Sequence, residues 1–506
     1  MEVRILRLAA VALAVIAFHP IIHNYFRYDD FFCLFRIVND PPPRFVLEPT
    51  GGHLLVVRNA VFWLFFRLFG TRSEYYFAAV LLTHVLNVVL LFEIIRHLTG
   101  SARLACFGAA LWGVSPVNEG ALGWYAVYGH VLATTLALTA VWHVVRRPAG
   151  APPFGWGAAT LWWLLLLGAS ASFGVGIGMA LVFPAAVPLL AGRAGLRPAA
   201  WAILFAIPVS VVAAYVLGHA YQRGLYGQQG LDASAIPAIA SSWKPVGEML
   251  LHLAGYGIAS LLLGLARLYG TYPAAPASIA VAMFAGAVGF VLAAGEAAQR
   301  RRLLACALMV IGTYGVVALG RGPLYIILAS VSADRAAAVP RYHYLGPAPI
   351  SVMLCLALAW IAARPAARRL PGRTLLAIWI AAAAPAAWAN SGTIDPHTDA
   401  RLETERVVNA MRAEIAAAPR GQAVSIKNVS FAATGFLIMA DGRGFPGWVA
   451  VFEIFFPENV VDGRRVFFVT DDPAVEAEAT PGSRMASLLV PGPARRATSG
   501  AKPTGQ

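Results

Sequence analysis

Charge is scarce in this chain. Only 13% of its 506 residues are charged, against 59% hydrophobic, and the mean hydropathy is +0.66. Soluble domains carry roughly 25% charged residues, so about half the usual charge is missing and a water-soluble globular fold is excluded. Lysine is nearly absent, at positions 244, 427 and 502 alone, so the net charge of +14 comes from arginine. In a membrane chain such basic excess orients loops and meets anionic lipid, and no nucleic-acid partner is expected. Cysteine is scarce too. Cys33, Cys106, Cys306 and Cys355 are scattered, which excludes both a disulfide framework and metal-ligand spacing. No tetratricopeptide-type repeat is present.

What is abundant is long apolar sequence, as in Leu8–Phe18, Leu161–Leu167, Ile279–Ala294 and Leu375–Ala387. A bilayer crossing needs ~20 largely apolar residues, and such segments recur through the first 390 positions. Arg4 and Arg7 precede the first of them, but no small-residue cleavage site follows, so an uncleaved first span is expected. Arg4/Arg7, Arg96/Arg103, Arg146/Arg147, Arg193/Arg197, Arg300–Arg302 and Arg364–Arg373 flank apolar runs and are assigned to the cytoplasmic side. Spans are then expected at 8–23, 75–95, 103–116, 130–145, 155–172, 174–191, 199–218, 277–298, 303–321, 344–363 and 374–390. The segment 246–266 is read as re-entrant, because counting it as a crossing would put Arg300–Arg302 outside. The fold class is therefore an all-α polytopic membrane protein of about 11 transmembrane helices, placed in the cell inner membrane.

From Ser391 the character changes. These last residues hold 13 of the 25 carboxylates, and a helical pattern at Arg401–Ala418 precedes β-rich runs at Ala423–Phe431, Trp448–Phe456, Arg465–Thr470 and Ser487–Val490. Gly, Pro and Asp turns separate the runs. The expected organisation is a membrane region over 1–390, a small extracytoplasmic α/β appendage over 391–490, and a disordered tail over 491–506.

Carboxylates close to spans call for a reason, because the bilayer rejects charge. The chain up to Ser391 has twelve, and two are adjacent: Asp29 and Asp30, just past the first span. Neighbouring carboxylates repel, which suits a general base awaiting an acceptor hydroxyl; a solvated loop pair would look the same. Glu119 lies in a second loop assigned to the outside, and His53 and His130 lie at outer span ends. His84 and Asn87, three apart on one helix face, fit helix packing. Arg321 and Arg341 face outward, against the positive-inside tendency, beside Tyr342, His343 and Tyr344. Guanidinium grips phosphate bidentately; the rival explanation is headgroup snorkelling.

In this order, these clusters resemble the GT-C superfamily of integral-membrane glycosyltransferases, and most of all its membrane O-mannosyltransferases. The likeness runs through YDDFF with Asp29–Asp30, HLLVVRN with His53 and Arg58, FGTRSEYYFAAVLLTHVLNVVLLF, SPVNEGALGWYAV with Glu119, and RYHYLGP with Arg341, Tyr342 and Tyr344. It covers about residues 1–145 and 315–365. Two positions depart from it: Ser115 stands where the family has His, and Tyr128-Gly129-His130 where it has Arg-x-Asp.

The resemblance implies a GT-C-like fold, a polyprenyl-phosphate sugar donor, a protein or glycan acceptor, and transfer on the outer face. Asp29 or Asp30 would be the general base. Arg341 and Arg321 would meet the donor phosphate, Glu119 and His130 would position the acceptor or sugar, and His53, Arg58 and Tyr342 would line the substrate site. No metal set is expected, and a divalent cation would be optional. Two other readings remain open: a transporter or flippase with intramembrane carboxylate relays, and a polymer transferase of the O-antigen-ligase kind.

Overall fold

A computed structural model describes residues 1–26, 29–47, 49–50, 53–148, 150–192, 195–226, 243–264, 274–323, 331–364 and 372–392, and in the tail 424–426, 437–440, 443–446, 460–461, 464–470 and 489–491. The chain divides into two units. One gathers Met1–His23, Val46–Leu64 and Glu74–Ile394; the other gathers Asn24–Phe45, Phe65–Ser73 and Asp395–Gln506. The division therefore does not follow the expected boundary at 390.

The first unit is a helical bundle, and the chain is a multi-pass membrane protein. Its helices are α1 (Glu2–Phe18), α4 (Val56–Phe69, which runs on into the other unit), α5 (Ser73–Thr99), α6 (Ala102–Gly113), α7 (Glu119–Leu122), α8 (Gly129–Val145), α9 (Trp156–Ser172), α10 (Gly174–Ala191), α11 (Pro198–Tyr226), α12 (Trp243–Leu263), α13 (Ala274–Ala294), α14 (Ala297–Gly322), α15 (Pro347–Ala362) and α16 (Gly372–Ser391). Among the described residues, nine helical segments are long and apolar enough to cross a bilayer, and α9 and α15 are shorter apolar helices. Local signals set several ends. Ser101 Oγ accepts from the Leu104 N–H at 3.3 Å to start α6, and Glu296 with Gln299 forms a capping box at α14.

The arginines that orient the spans collect at one end of this bundle. Arg7 and Arg96 both reach Glu93, at 3.3 and 2.7 Å. Arg103 meets Glu2 at 3.0 Å, and Arg302 donates to the Leu98 carbonyl at 2.8 Å. Arg147 donates to the Gly195 carbonyl at 3.0 Å, tying the end of α8 to the α10–α11 connection. This basic end is what alternating helix direction produces when positive residues flank every second loop.

Two segments behave differently from their hydropathy. The expected span 103–116 is only the 12-residue α6. At about 1.5 Å per residue it rises about 18 Å, short of a ~30 Å apolar layer. The segment read as re-entrant contains a continuous 21-residue helix, α12, long enough to cross. Its start faces Gly322 at the far end of α14, and its last turn stops at Ser115, where Ser115 Oγ donates to the Ser260 carbonyl at 3.5 Å. The helix therefore starts beside the far end of α14 and ends beside Ser115. Helix α13 then runs to the basic end, where Phe290 packs on Trp360 with ring centroids 5.0 Å apart.

The second unit holds α2 (Asp29–Asn39), the start of which carries the acidic pair, and α3 (Pro42–Leu47) follows it in the chain. Arg36 and Asp40 form a nearly buried i,i+4 pair at 2.7 Å at the far end of α2. In the tail, β3 (Val424–Ile426) pairs parallel with β7 (Arg464–Thr470), which also pairs with β6 (Val460–Val461) and β8 (Leu489–Pro491). β4 (Leu437–Ala440) and β5 (Arg443–Pro446) form a separate antiparallel pair. The expected helix at 401–418 and the run at 448–456 lie outside the described residues.

Candidate functional site

Away from the basic end, the first unit gathers polar residues from six stretches of chain. β2 (His53–Leu54) pairs antiparallel with β1 (Pro49–Thr50) and presents His53. Its imidazole Nε2 lies 3.2 Å from Arg321 Nη2, at the end of α14. The same imidazole packs on Phe173 with ring centroids 4.7 Å apart. Phe173 is the extended residue that breaks α9 from α10, and it also carries His130, at 3.7 Å. His53, Arg321 and Arg341 all lie within electrostatic reach of His130.

Close backbone approach makes this convergence possible. A methyl group on Gly129 would collide with the Ser172 carbonyl, so glycine lets the start of α8 touch the end of α9 and brings His130 onto Phe173. A methyl group on Gly120 would lie 2.6 Å from the Arg341 nitrogen and from the Pro340 ring. Glycine thus seats α7, which begins at Glu119, against the 3-10 turn Pro340–His343.

Arg341 projects from that turn over two rings, 5.5 Å from the centroid of Trp124 and 5.2 Å from that of Tyr342. Guanidinium over aromatic faces is held in orientation by the ring quadrupoles. The turn itself is anchored by His343. Its Nε2–H donates to the Ala337 carbonyl at 2.6 Å and its Nδ1 accepts from the Tyr314 hydroxyl at 3.0 Å. Burial pushes the His343 imidazole down to about 4, so the ring stays neutral and keeps both bonds.

A second network, made by His84 and Asn87, fixes Tyr344. His84 Nε2–H donates to the Gly113 carbonyl at 2.9 Å, while its Nδ1 accepts from the Tyr344 hydroxyl at 2.8 Å. Asn87 donates to the same hydroxyl and to the Val131 carbonyl, each at 3.2 Å.

Of the residues expected at the site, His53, His130, Arg321 and Arg341 come together, with Tyr342 as a shelf under Arg341 and Glu119 on the element packed against it. Arg58 is buried on α4 at 1% exposure. Asp29 and Asp30 belong to the second unit and open α2, Asp29 exposed and Asp30 fully buried. Phe173, Trp124 and Tyr314 were not singled out by sequence. Phe173 had one faint signal: it stands between Ser and Gly where two apolar helices must break. Among the described residues no group of three His, Cys, Asp or Glu side chains converges to hold a metal ion.

Beside His53 lies an apolar cavity of about 180 Å³, lined by Leu54, Leu167, Ile177, Val211, Ala214 and Tyr215. Tyr215 is itself within electrostatic reach of Arg321. A cationic cluster thus borders a lipid-like recess.

No family model and no curated protein matches the chain. Among solved structures, the chain is similar to ArnT from Cupriavidus metallidurans bound to undecaprenyl phosphate. That match has 12% identity and a TM-score of 0.46, and covers 96% of this chain and 88% of that one. It is also similar to the Archaeoglobus fulgidus oligosaccharyltransferase tethered with an acceptor peptide. Here the identity is 12%, the TM-score is 0.38, and the match spans 92% of this chain and 63% of that one.

Proposed function

We propose that this protein is an integral-membrane glycosyltransferase of GT-C type that moves a sugar from a polyprenyl-phosphate donor to a hydroxyl of a protein or glycan acceptor. The observation that carries the reading is the convergence of Arg321, Arg341, His53 and His130 beside an apolar cavity. An anionic head on an apolar chain fits such a place, and neither a free sugar nor a neutral lipid does.

In the proposed step a general base takes the proton of the acceptor hydroxyl, the role that the resemblance gives to Asp29 or Asp30. The acceptor oxygen forms its bond to the anomeric carbon as the bond from that carbon to the phosphate oxygen breaks. The polyprenyl phosphate leaves with the electron pair, and a single displacement inverts the anomeric centre. Negative charge grows on the leaving phosphate, and positive groups fixed beforehand stabilise that growth without reorganising. Arg321 and Arg341 supply them, with Trp124 and Tyr342 fixing the direction of Arg341. Transfer takes place on the outer face of the inner membrane, the side opposite the basic end.

Sugar transfer by the purified full chain in liposomes, from polyprenyl-phosphate sugars to a hydroxyl acceptor, is the test. Turnover that releases polyprenyl phosphate is expected. Movement of the intact lipid or solute across the bilayer without cleavage would replace the reading with that of a transporter.

A further inference from the structure

Among the described residues, the buried histidines are satisfied on both nitrogens with one exception. His84 bonds to the Tyr344 hydroxyl and the Gly113 carbonyl, and His343 to the Tyr314 hydroxyl and the Ala337 carbonyl. His130 is as deeply buried as they are, at 1% exposure. Yet its Nε2 has no hydrogen-bond partner among the described residues. Buried polar atoms are almost always paired, and an orphan asks for an explanation.

The surroundings of His130 say what kind of partner is missing. Arg321, Arg341 and His53 are the charged or titratable groups acting on it, and one face of its ring is covered by Phe173. Adding another cation to that set would be repulsive; an anion is attracted by every member. His130 is also the second residue of the 17-residue α8, and a helix N-terminus favours negative charge. The recess alongside decides between a free anion and a lipid one. Ser170 and Ala171, which lead directly into Phe173, line the apolar cavity together with Leu54.

We infer that His130 donates its Nε2–H to a phosphate oxygen of a polyprenyl-phosphate ligand, closing with Arg321 and Arg341 a cradle around that phosphate. The inference rests on the glycosyltransferase reading and assigns His130 to the donor phosphate, where the resemblance gave it the positioning of acceptor or sugar.

The amide nitrogen of glutamine reaches about as far from the backbone as imidazole Nε2, whereas that of asparagine stops near Nδ1. His130→Gln should therefore keep the hydrogen bond and His130→Asn should lose it. The probes are undecaprenyl phosphate and inorganic phosphate, titrated into the full chain in nanodiscs. The parent should bind the lipid phosphate far more tightly than inorganic phosphate. His130→Gln should stay within a few-fold of the parent, while His130→Asn and His130→Leu weaken by about tenfold or more, the loss of one hydrogen bond to a charged group. Without ligand, His130→Leu should melt no lower than the parent, since it removes an unpaired buried atom. If Arg341→Ala loses the lipid phosphate while His130→Asn and His130→Leu bind like the parent, His130 is a packing residue and the glycosyltransferase reading stands. Glutamine no better than asparagine would equally overturn the inference. A parent that binds no undecaprenyl phosphate, or holds inorganic phosphate as tightly, would sink both.

Discussion

Replacing Arg341 by lysine keeps the positive charge and removes the planar fork. In the structure the guanidinium lies over Trp124 and Tyr342 at 5.5 and 5.2 Å. Its direction is thus set before any ligand arrives, and two parallel N–H groups can meet two phosphate oxygens. An ammonium makes one such bond from a flexible stem. The difference is one hydrogen bond to a charged group, about 1.5–3 kcal/mol. At 1.4 kcal/mol per tenfold, Arg341→Lys should bind the donor about 10- to 100-fold more weakly. Arg341→Ala, which loses the charge as well, should be weaker still. Little change in melting temperature is expected, because the turn is held by His343 and by Gly120 and not by the guanidinium. Equilibrium titration of the lipid-linked donor into nanodisc-embedded protein measures the effect directly. If Arg341→Ala binds the donor as well as the parent, the arginine is snorkelling to headgroups and the phosphate site lies elsewhere.

Asp29 and Asp30 differ in exposure, so Asp29→Asn and Asp30→Asn should be unequal. One should lose roughly 10²–10⁴-fold in transfer rate and the other much less; parent-like rates for both would remove the acidic pair from catalysis and favour a transporter. The His343 imidazole falls from 6.5 to about 4 on folding. The unfolded chain therefore binds the extra proton between those values, and stability is full above about 6.5 and declines as pH falls toward 4, by up to about 3 kcal/mol. His343→Gln should flatten that acid limb in detergent melts at pH 7.5 and pH 5, and an unchanged slope would refute a neutral buried His343. Deleting 391–506 should weaken acceptor use more than donor binding, as measured by KM for each substrate; unchanged turnover on the natural acceptor would make the tail an appendage.

Membrane character, helix positions and the gathering of arginine at one end were all legible in the sequence. Each rests on local, additive quantities: apolar length against bilayer thickness, and the charge of the residues beside a span. Arg7, Arg96, Arg103 and Arg302 meet at one end because successive helices alternate in direction, which the order of spans and arginines along the chain predicts. Hydropathy also showed where α6 begins, but not that it stops at Gly113.

The candidate residues His53, His130, Arg321 and Arg341 could be marked in the sequence, because polar groups at span ends stand out against an apolar background. Their meeting could not. His53 and Arg321 are separated by 268 positions, and what joins them to His130 is Phe173, an aromatic among many. Close contacts at Gly120 and Gly129, which are properties of two backbones and not of one segment, set the geometry. The same holds for His84, His130 and His343. In sequence they are alike, three histidines in apolar surroundings. Only the packed structure gives two of them partners for both ring nitrogens and leaves the third facing arginines, because a hydrogen-bond partner is supplied by whichever helix happens to cross there.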